Sequence, residues 1–317
     1  MQEKMEQHQI FIYGCAIVAG VIWGIGHVGG FLFLEAALPV LLALLMCAMF
    51  LQIPLRENMF RQMHYRFIIA LCVAQFIAIP LFVFGLIYLF QITATPLLIG
   101  LCFVLLTPCI DYVIVFTQLG KGDATQMLYA TPLLLLLQFV LLPIYMMLFI
   151  RSDILQQLDM TPMLMAFLWM IVVPLIGAWL LQWLGGRLKA IQTSLTYTAW
   201  LPVPLMALVL FVVIAVQVPK MLMDVALVWM VVPVYVVYHF VAPIIGRYIA
   251  RCFKLNKRDT RTMMFSTGTR NALVILPLAL ALPGSWGTVA SIVVVTQTCI
   301  ELISQLAYMR IIPKWIK

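Results

Sequence analysis

Apolar residues in this chain gather in long runs, and polar residues come in short clusters between them. A run of about 20 residues with few charges is what an α-helix needs to cross roughly 30 Å of hydrocarbon. Ten such runs are predicted, near 9–28, 33–54, 66–90, 95–119, 124–150, 161–184, 197–217, 222–248, 260–283 and 286–312. Polar or Gly/Pro-containing stretches separate them, among them Arg56-Glu57-Asn58 and Gly120-Lys121-Gly122-Asp123. The connections are short, so one all-α, polytopic membrane domain over 1–317 is expected, with no linker and no second domain. Met1–Gln9 is polar and no small-residue cleavage site follows, so the first run reads as a retained helix and not as a signal peptide.

Composition agrees with this class, since 65% of the residues are hydrophobic and only 9% charged. The formal charge of +8 raises nucleic acid as a partner, but the basic residues are scattered among loops and not striped on one face. Topology accounts for them better. With the N-terminus cytoplasmic, 16 of the 19 Lys and Arg fall on the inside, Arg151 and Lys220 fall outside, and Arg270 lies within the ninth run. One run more or fewer breaks that partition, so both termini are expected on the cytoplasmic side of the plasma (inner) membrane. The seven Cys lie in or beside apolar runs without CxxC spacing, which implies neither a disulfide framework nor a zinc site. The chain has no GxxxxGK[ST] loop, no HExxH and no GxSxG. An enzyme is therefore not expected, no cofactor is implied, and energy would come from a gradient.

The segment PVLLALLMCAMFLQIP at 39–54 has a counterpart in PLMALVLFVVIAVQVP at 204–219, with Pro39/Pro204, Gln52/Gln217 and Pro54/Pro219 all offset by 165. That offset spans five runs, an odd number, so the second copy crosses the membrane in the opposite sense. Two inverted repeats are expected, 9–150 and 161–312. The same offset carries Pro108 to 273, near the breakers between Gly268 and Pro277. Paired broken helices in an inverted repeat point to a secondary transporter with its site near the midplane. Pro and Gly also kink transmembrane helices without further purpose; the correspondence between halves is what favours the functional reading.

Two motifs carry the chemistry: Pro108-Cys109-Ile110-Asp111 in the fourth run and Gly268-Thr269-Arg270-Asn271 in the ninth. Each puts a helix breaker and an ionisable residue at bilayer depth, where unpaired groups cost several kcal/mol. If the broken helices cross, Asp111 and Arg270 meet at the centre, as part of a solute site or as a staple for the crossing. Glu301 ends a polar face, Thr296-Gln297-Thr298-Cys299-Ile300-Glu301, and either binds protons or satisfies hydrogen bonds between helices. Asn271 and Thr267 add groups at the ninth break. Glu35 reads as interfacial, and His27 and His239 as packed or interfacial. Cys109 directly follows the breaking proline. A thiol at the end of a half-helix, beside a wet cavity and Arg270, is the accessible and reactive one, and one sulfur suits reversible capture of a soft metalloid.

PCIDYVIVFTQLGKGD at 108–123, LLALLMCAMFLQIP at 41–54 and the Arg270-Asn271 pair followed by Glu301 resemble the arsenite efflux carriers, within the superfamily that includes the bile acid sodium symporters. The resemblance covers nearly the whole chain. It implies a ten-helix inverted-repeat fold in which helices 1, 2, 6 and 7 form a panel and the other six a core, with helices 4 and 9 broken and crossing at the substrate site. It implies Cys109 as the thiol required for transport, with Arg270, Asn271 and Glu301 as the polar groups of spans nine and ten, and arsenite or antimonite leaving in exchange for protons. Two positions depart from the pattern: Val274 stands where these carriers usually have Glu, and Asp111 where many have a small apolar residue. The alternative is a sodium-coupled or sodium-independent organic anion symporter of the bile acid type. Aligned through Lys121-Gly122-Asp123, the helix 4 positions that supply sodium ligands in that branch are Val113 and Ile114, and those on helix 9 are Ser266 and Arg270, so no sodium site is expected. A non-transporting sensor on the same fold is a minor alternative. The partners implied are a small inorganic or organic solute, protons and lipid; a homodimer is left open.

Overall fold

The structure, a computed structural model, describes residues 2–26, 32–51, 64–110, 112–150, 161, 165, 168–185, 187–188, 193 and 200–316. Among these the chain is helical, with no strand. The helices are α1 (Gln2–Gly26), α2 (Leu32–Phe50), α3 (Tyr65–Leu89), α4 (Thr95–Leu105), α5 (Val113–Leu119), α6 (Ala124–Phe149), α7 (Val173–Gly185), α8 (Pro202–Met223), α9 (Val225–Cys252), α10 (Lys257–Thr267), α11 (Ala272–Leu280) and α12 (Ser285–Trp315). Six described segments, in α2, α3, α6, α8, α9 and α12, are long and apolar enough to cross a bilayer, and Phe11–Gly26, Thr95–Leu105 and Val173–Gly185 are shorter apolar helices. The protein is a multi-pass membrane protein. Asp111 and the loop carrying Arg151 lie outside the described residues, as does His27.

Two compact units divide the chain. The first holds residues 1–57, 160–225 and 280–282. In it α1 lies along α8 so closely that a Cβ on Gly20 would come 2.8 Å from the Phe211 carbonyl and one on Gly24 3.0 Å from that of Ala215. Spaced four apart, these glycines let two backbones approach where lipid offers no hydrophobic drive for association. Helices α2 and α8 pack against each other. Glu35, at the start of α2, pairs with Lys220 of α8 at 2.8 Å, both partly exposed, in agreement with an interfacial carboxylate. The C-terminal carbonyls of α2, which lack helical partners, are met by Gln182 of α7, whose amide donates to Phe50 and Leu51 at 3.2 Å.

The second unit holds residues 58–159, 226–279 and 283–317. In two of its helices a proline's missing N–H frees the carbonyl four residues earlier and a tyrosine of another helix takes that carbonyl up. Pro80 in α3 frees that of Phe76, and Tyr145 of α6 donates its hydroxyl to it at 2.6 Å. Pro243 in α9 frees that of His239, and Tyr308 of α12 donates its hydroxyl there. One face of this unit gathers the start of α3, the α5–α6 loop, the start of α10 and the end of α12. His64 donates its backbone N–H to Gln126, Asp123 its N–H to Thr262 Oγ1 at 2.7 Å, and Arg261 reaches the carbonyls of Lys121 and Ile316. Burial pushes the Asp259 carboxyl at this face above the usual carboxylate range, while its hydrogen bond to His64 and that residue's charge pull it part of the way back.

Candidate functional site

The fourth and ninth runs are each interrupted where the sequence placed the breakers. Pro108 disfavours a helical conformation in the residue before it, and α4 ends at Leu105. On the other side α10 ends at Thr267 with Gly268 as its cap. A Cβ at Gly268 would lie 2.6 Å from the ring of Tyr308, so a close approach and not a left-handed turn requires the glycine. The two interruptions meet. Pro108 and Arg270 form an antiparallel bridge, Asn271 donates its N–H to the Thr107 carbonyl at 3.0 Å, and Cys109 its N–H to Thr269 at 3.4 Å. Backbone that open helix ends would leave unpaired inside the membrane is thereby satisfied by the other break.

Side chains complete the work. Thr107 and Thr269 turn their hydroxyls back onto Phe103 and Phe265, at 2.7 and 2.6 Å, and Gln305 of α12 donates to Gly268 O and Thr269 Oγ1. Asn271 caps α11 in the usual manner of an Asn N-cap, its Oδ1 accepting the Val274 N–H at 3.4 Å.

Arg270 is fully buried. Its Nη1 donates to the Leu105 carbonyl at 3.2 Å, and Nη2 faces Gln75 Oε1 at 2.6 Å and the carbonyls of Ser266 and Thr267 at 3.1 and 3.0 Å. The guanidinium carbon also lies 5.6 Å from the centre of the Tyr238 ring, within range of a cation–π contact. Tyr238 donates its own hydroxyl to the Thr267 carbonyl at 3.0 Å, sharing an acceptor with the guanidinium. Among the described residues, a fixed cation is thus held by neutral oxygens. The predicted partner Asp111 lies outside the described residues, so the pair is not part of this geometry.

Glu301 takes a different position from a guanidinium counter-ion. One oxygen accepts the backbone N–H of Arg270 at 2.7 Å and also the amide of Gln297; the other accepts the Tyr112 hydroxyl at 2.7 Å. The Tyr112 oxygen is also 3.2 Å from the Arg270 carbonyl, but a hydroxyl has one proton and the shorter contact takes it. Glu301 therefore ties α12 to both interruptions at once. Cys109 sits in the paired loop with no exposed surface, so the expected accessible thiol is closed off in this state.

The sequence reading brought Pro108, Cys109, Gly268, Arg270, Asn271 and Glu301 into one place, and the structure assembles those six. It missed Gln75, Tyr112, Tyr238 and Gln305. Gln75 is a lone polar residue in an apolar run, and it lies in the π-helical turn Ala74–Ala78. Such turns are frequent at functional sites. Pro80, five residues on, was the available signal.

The model of the sodium bile acid symporter family matches residues 39–224. The match contains the first interruption and stops before Arg270. No curated protein matches the chain.

Proposed function

The chain belongs to the sodium bile acid symporter family, and from that premise we propose that it is a secondary carrier that exports arsenite or antimonite in exchange for protons and needs no sodium. The observation that carries the sodium-free reading is Arg270 in its oxygen cage. Gln75 Oε1 and three main-chain carbonyls are the kind of oxygen donors a dehydrated Na⁺ takes, and the guanidinium already occupies them. A second cation about 4 Å away would be repelled by roughly 4 kcal/mol at an effective dielectric of 20, about a thousandfold in affinity.

In this reading the solute binds beside the paired interruptions, Cys109 supplies a sulfur for the metalloid, and Glu301 or Asp111 carries the proton. Asn271 lines the site. The ten spans, the cytoplasmic termini and the plasma membrane location belong to the same proposal. Two observations support the inverted repeat behind it. The Tyr–carbonyl–Pro arrangement occurs twice with every member 163 positions apart: Phe76 and His239, Pro80 and Pro243, Tyr145 and Tyr308. In the bridge, 107 pairs with 271 and 108 with 270, which are each other's counterparts at that same spacing. The sequence match at 39–54 and 204–219 gives 165, so two residues separate the registers of the α2/α8 pair and the interrupted pair. The grouping of 1–57 with 160–225 in one unit supports a panel of helices 1, 2, 6 and 7.

An organic anion carrier is the second reading, favoured by the family that matches and by the full burial of Cys109. Uptake of radiolabelled arsenite into everted vesicles distinguishes the two. Accumulation driven by an acid interior is the expected result; no accumulation with well-inserted protein would reject arsenite and favour the organic anion.

A further inference from the structure

Away from the interruptions, the face of the second unit described above holds a cavity of about 890 Å³. We propose that it binds an anion through a phosphate group. The cavity is lined by Lys121, Arg258 and Arg261 together with His64, Asp123 and the first turn of α6. Its charge is unbalanced. Asp123 is the lining acid, and its carboxylate is engaged as the N-cap of α6, accepting the Gln126 N–H at 3.1 Å. Asp259 is taken up by His64 at 3.1 Å and Asn256 at 2.8 Å. Arg261 binds the neutral carbonyls of Lys121 and Ile316, so none of its charge is cancelled by those contacts.

The Gly120-Lys121-Gly122 loop points the same way. A Cβ on Gly120 would fall 2.1 Å from the Phe265 ring, and one on Gly122 2.7 Å from Thr117 and 2.9 Å from Thr262. Both glycines are demanded by close packing against α5 and α10. Held between them, Lys121 adopts φ of 57°, a left-handed conformation that glycine accepts freely and a side chain does not. The turn alone would be better served by a third glycine. A lysine there places a cation on the cavity wall at the expense of backbone strain, the kind of strain that concentrates at functional positions. Ala124 and Thr125, at the start of the 26-residue helix α6, also line the cavity, and first-turn N–H groups have no partners within their helix. Two guanidinium groups, an ammonium and these N–H donors match the several oxygens of a phosphate.

A phosphate group reaches such a cavity from an anionic lipid headgroup, for which basic pockets between helices at the membrane surface are suited, or as a free ion. Thermal melting of the purified full-length protein separates these. Phosphatidylglycerol is titrated against phosphatidylcholine, and inorganic phosphate against chloride at constant ionic strength. The expected result is a saturable rise in Tm with at least one of the two phosphate probes: response to the lipid alone assigns a headgroup, and response to inorganic phosphate assigns a free anion. Lys121→Gly removes the cation and relieves the backbone, so it should melt no lower than the parent without ligand, yet bind the probe about tenfold more weakly. Arg258→Gln, which leaves the Arg261 contacts in place, should weaken binding similarly. No saturable response to either probe, or variants that respond like the parent, would overturn the proposal.

Discussion

Among the described residues, Arg270 and Glu301 are held by different partners at the interruptions. The guanidinium is met by neutral oxygens, while the carboxylate gathers three donors from three segments: the Arg270 main chain, the Tyr112 hydroxyl and the Gln297 amide. Removing the acceptor strands all three, at about 1–3 kcal/mol for each buried donor left unpaired. Glu301→Ala should therefore lower detergent stability by several kcal/mol and abolish transport. Glu301→Gln keeps an acceptor oxygen and should fold nearly as well, yet fail to carry a proton; a Gln variant with parental pH-driven flux would limit Glu301 to a structural role. Cys109 is tested separately. Cys109→Ser should reach the membrane in normal amount and lose arsenite resistance, because an oxygen is too hard a ligand to replace sulfur toward the metalloid, and full resistance in that strain would remove the thiol from the mechanism. At this scale the charged members of the site were legible because a charge in an apolar run is conspicuous. Gln75 was not, since nothing in its local sequence links it to a partner 195 positions away.

Among the elements, the prolines show how a helix defect is repaired by a distant one. If Tyr145 serves the carbonyl that Pro80 exposes, the two residues are energetically coupled. Tyr145→Phe should cost about 1 kcal/mol in the parent and markedly less in a Pro80→Ala background, where the helix recovers its own N–H. Chemical denaturation of the four proteins in that cycle measures the coupling directly. Equal cost in both backgrounds would show that the hydroxyl serves another purpose. The same experiment with Pro243 and Tyr308 should give the same sign. The breaks at Pro108 and Gly268 were legible, because Pro and Gly announce a helix end whatever surrounds them. Which hydroxyl repairs which carbonyl was not, because that depends on packing between helices far apart in sequence. The proposed repeat shows the same division: the sequence match between 39–54 and 204–219 has a register of 165, while the paired tyrosine–carbonyl hydrogen bonds of the second unit are 163 apart.

For the molecule as a whole, membrane class and helical architecture were legible from apolar run length, since run length is the quantity a bilayer constrains. The division into two units was not derivable from the runs themselves, because it depends on which helices touch. The proposed sodium-free transport rests on a permanent cation, Arg270, in the oxygen cage at the interrupted helices. The measurement that tests this most directly needs no knowledge of the solute: the melting temperature of the purified protein as Na⁺ replaces K⁺ or choline at constant ionic strength. An internal guanidinium in the cage predicts no sodium-specific shift for the parent, whereas Arg270→Gln, which empties the cage, should melt lower and be partly restored by Na⁺. A saturable, sodium-specific rise in the parent would contradict it.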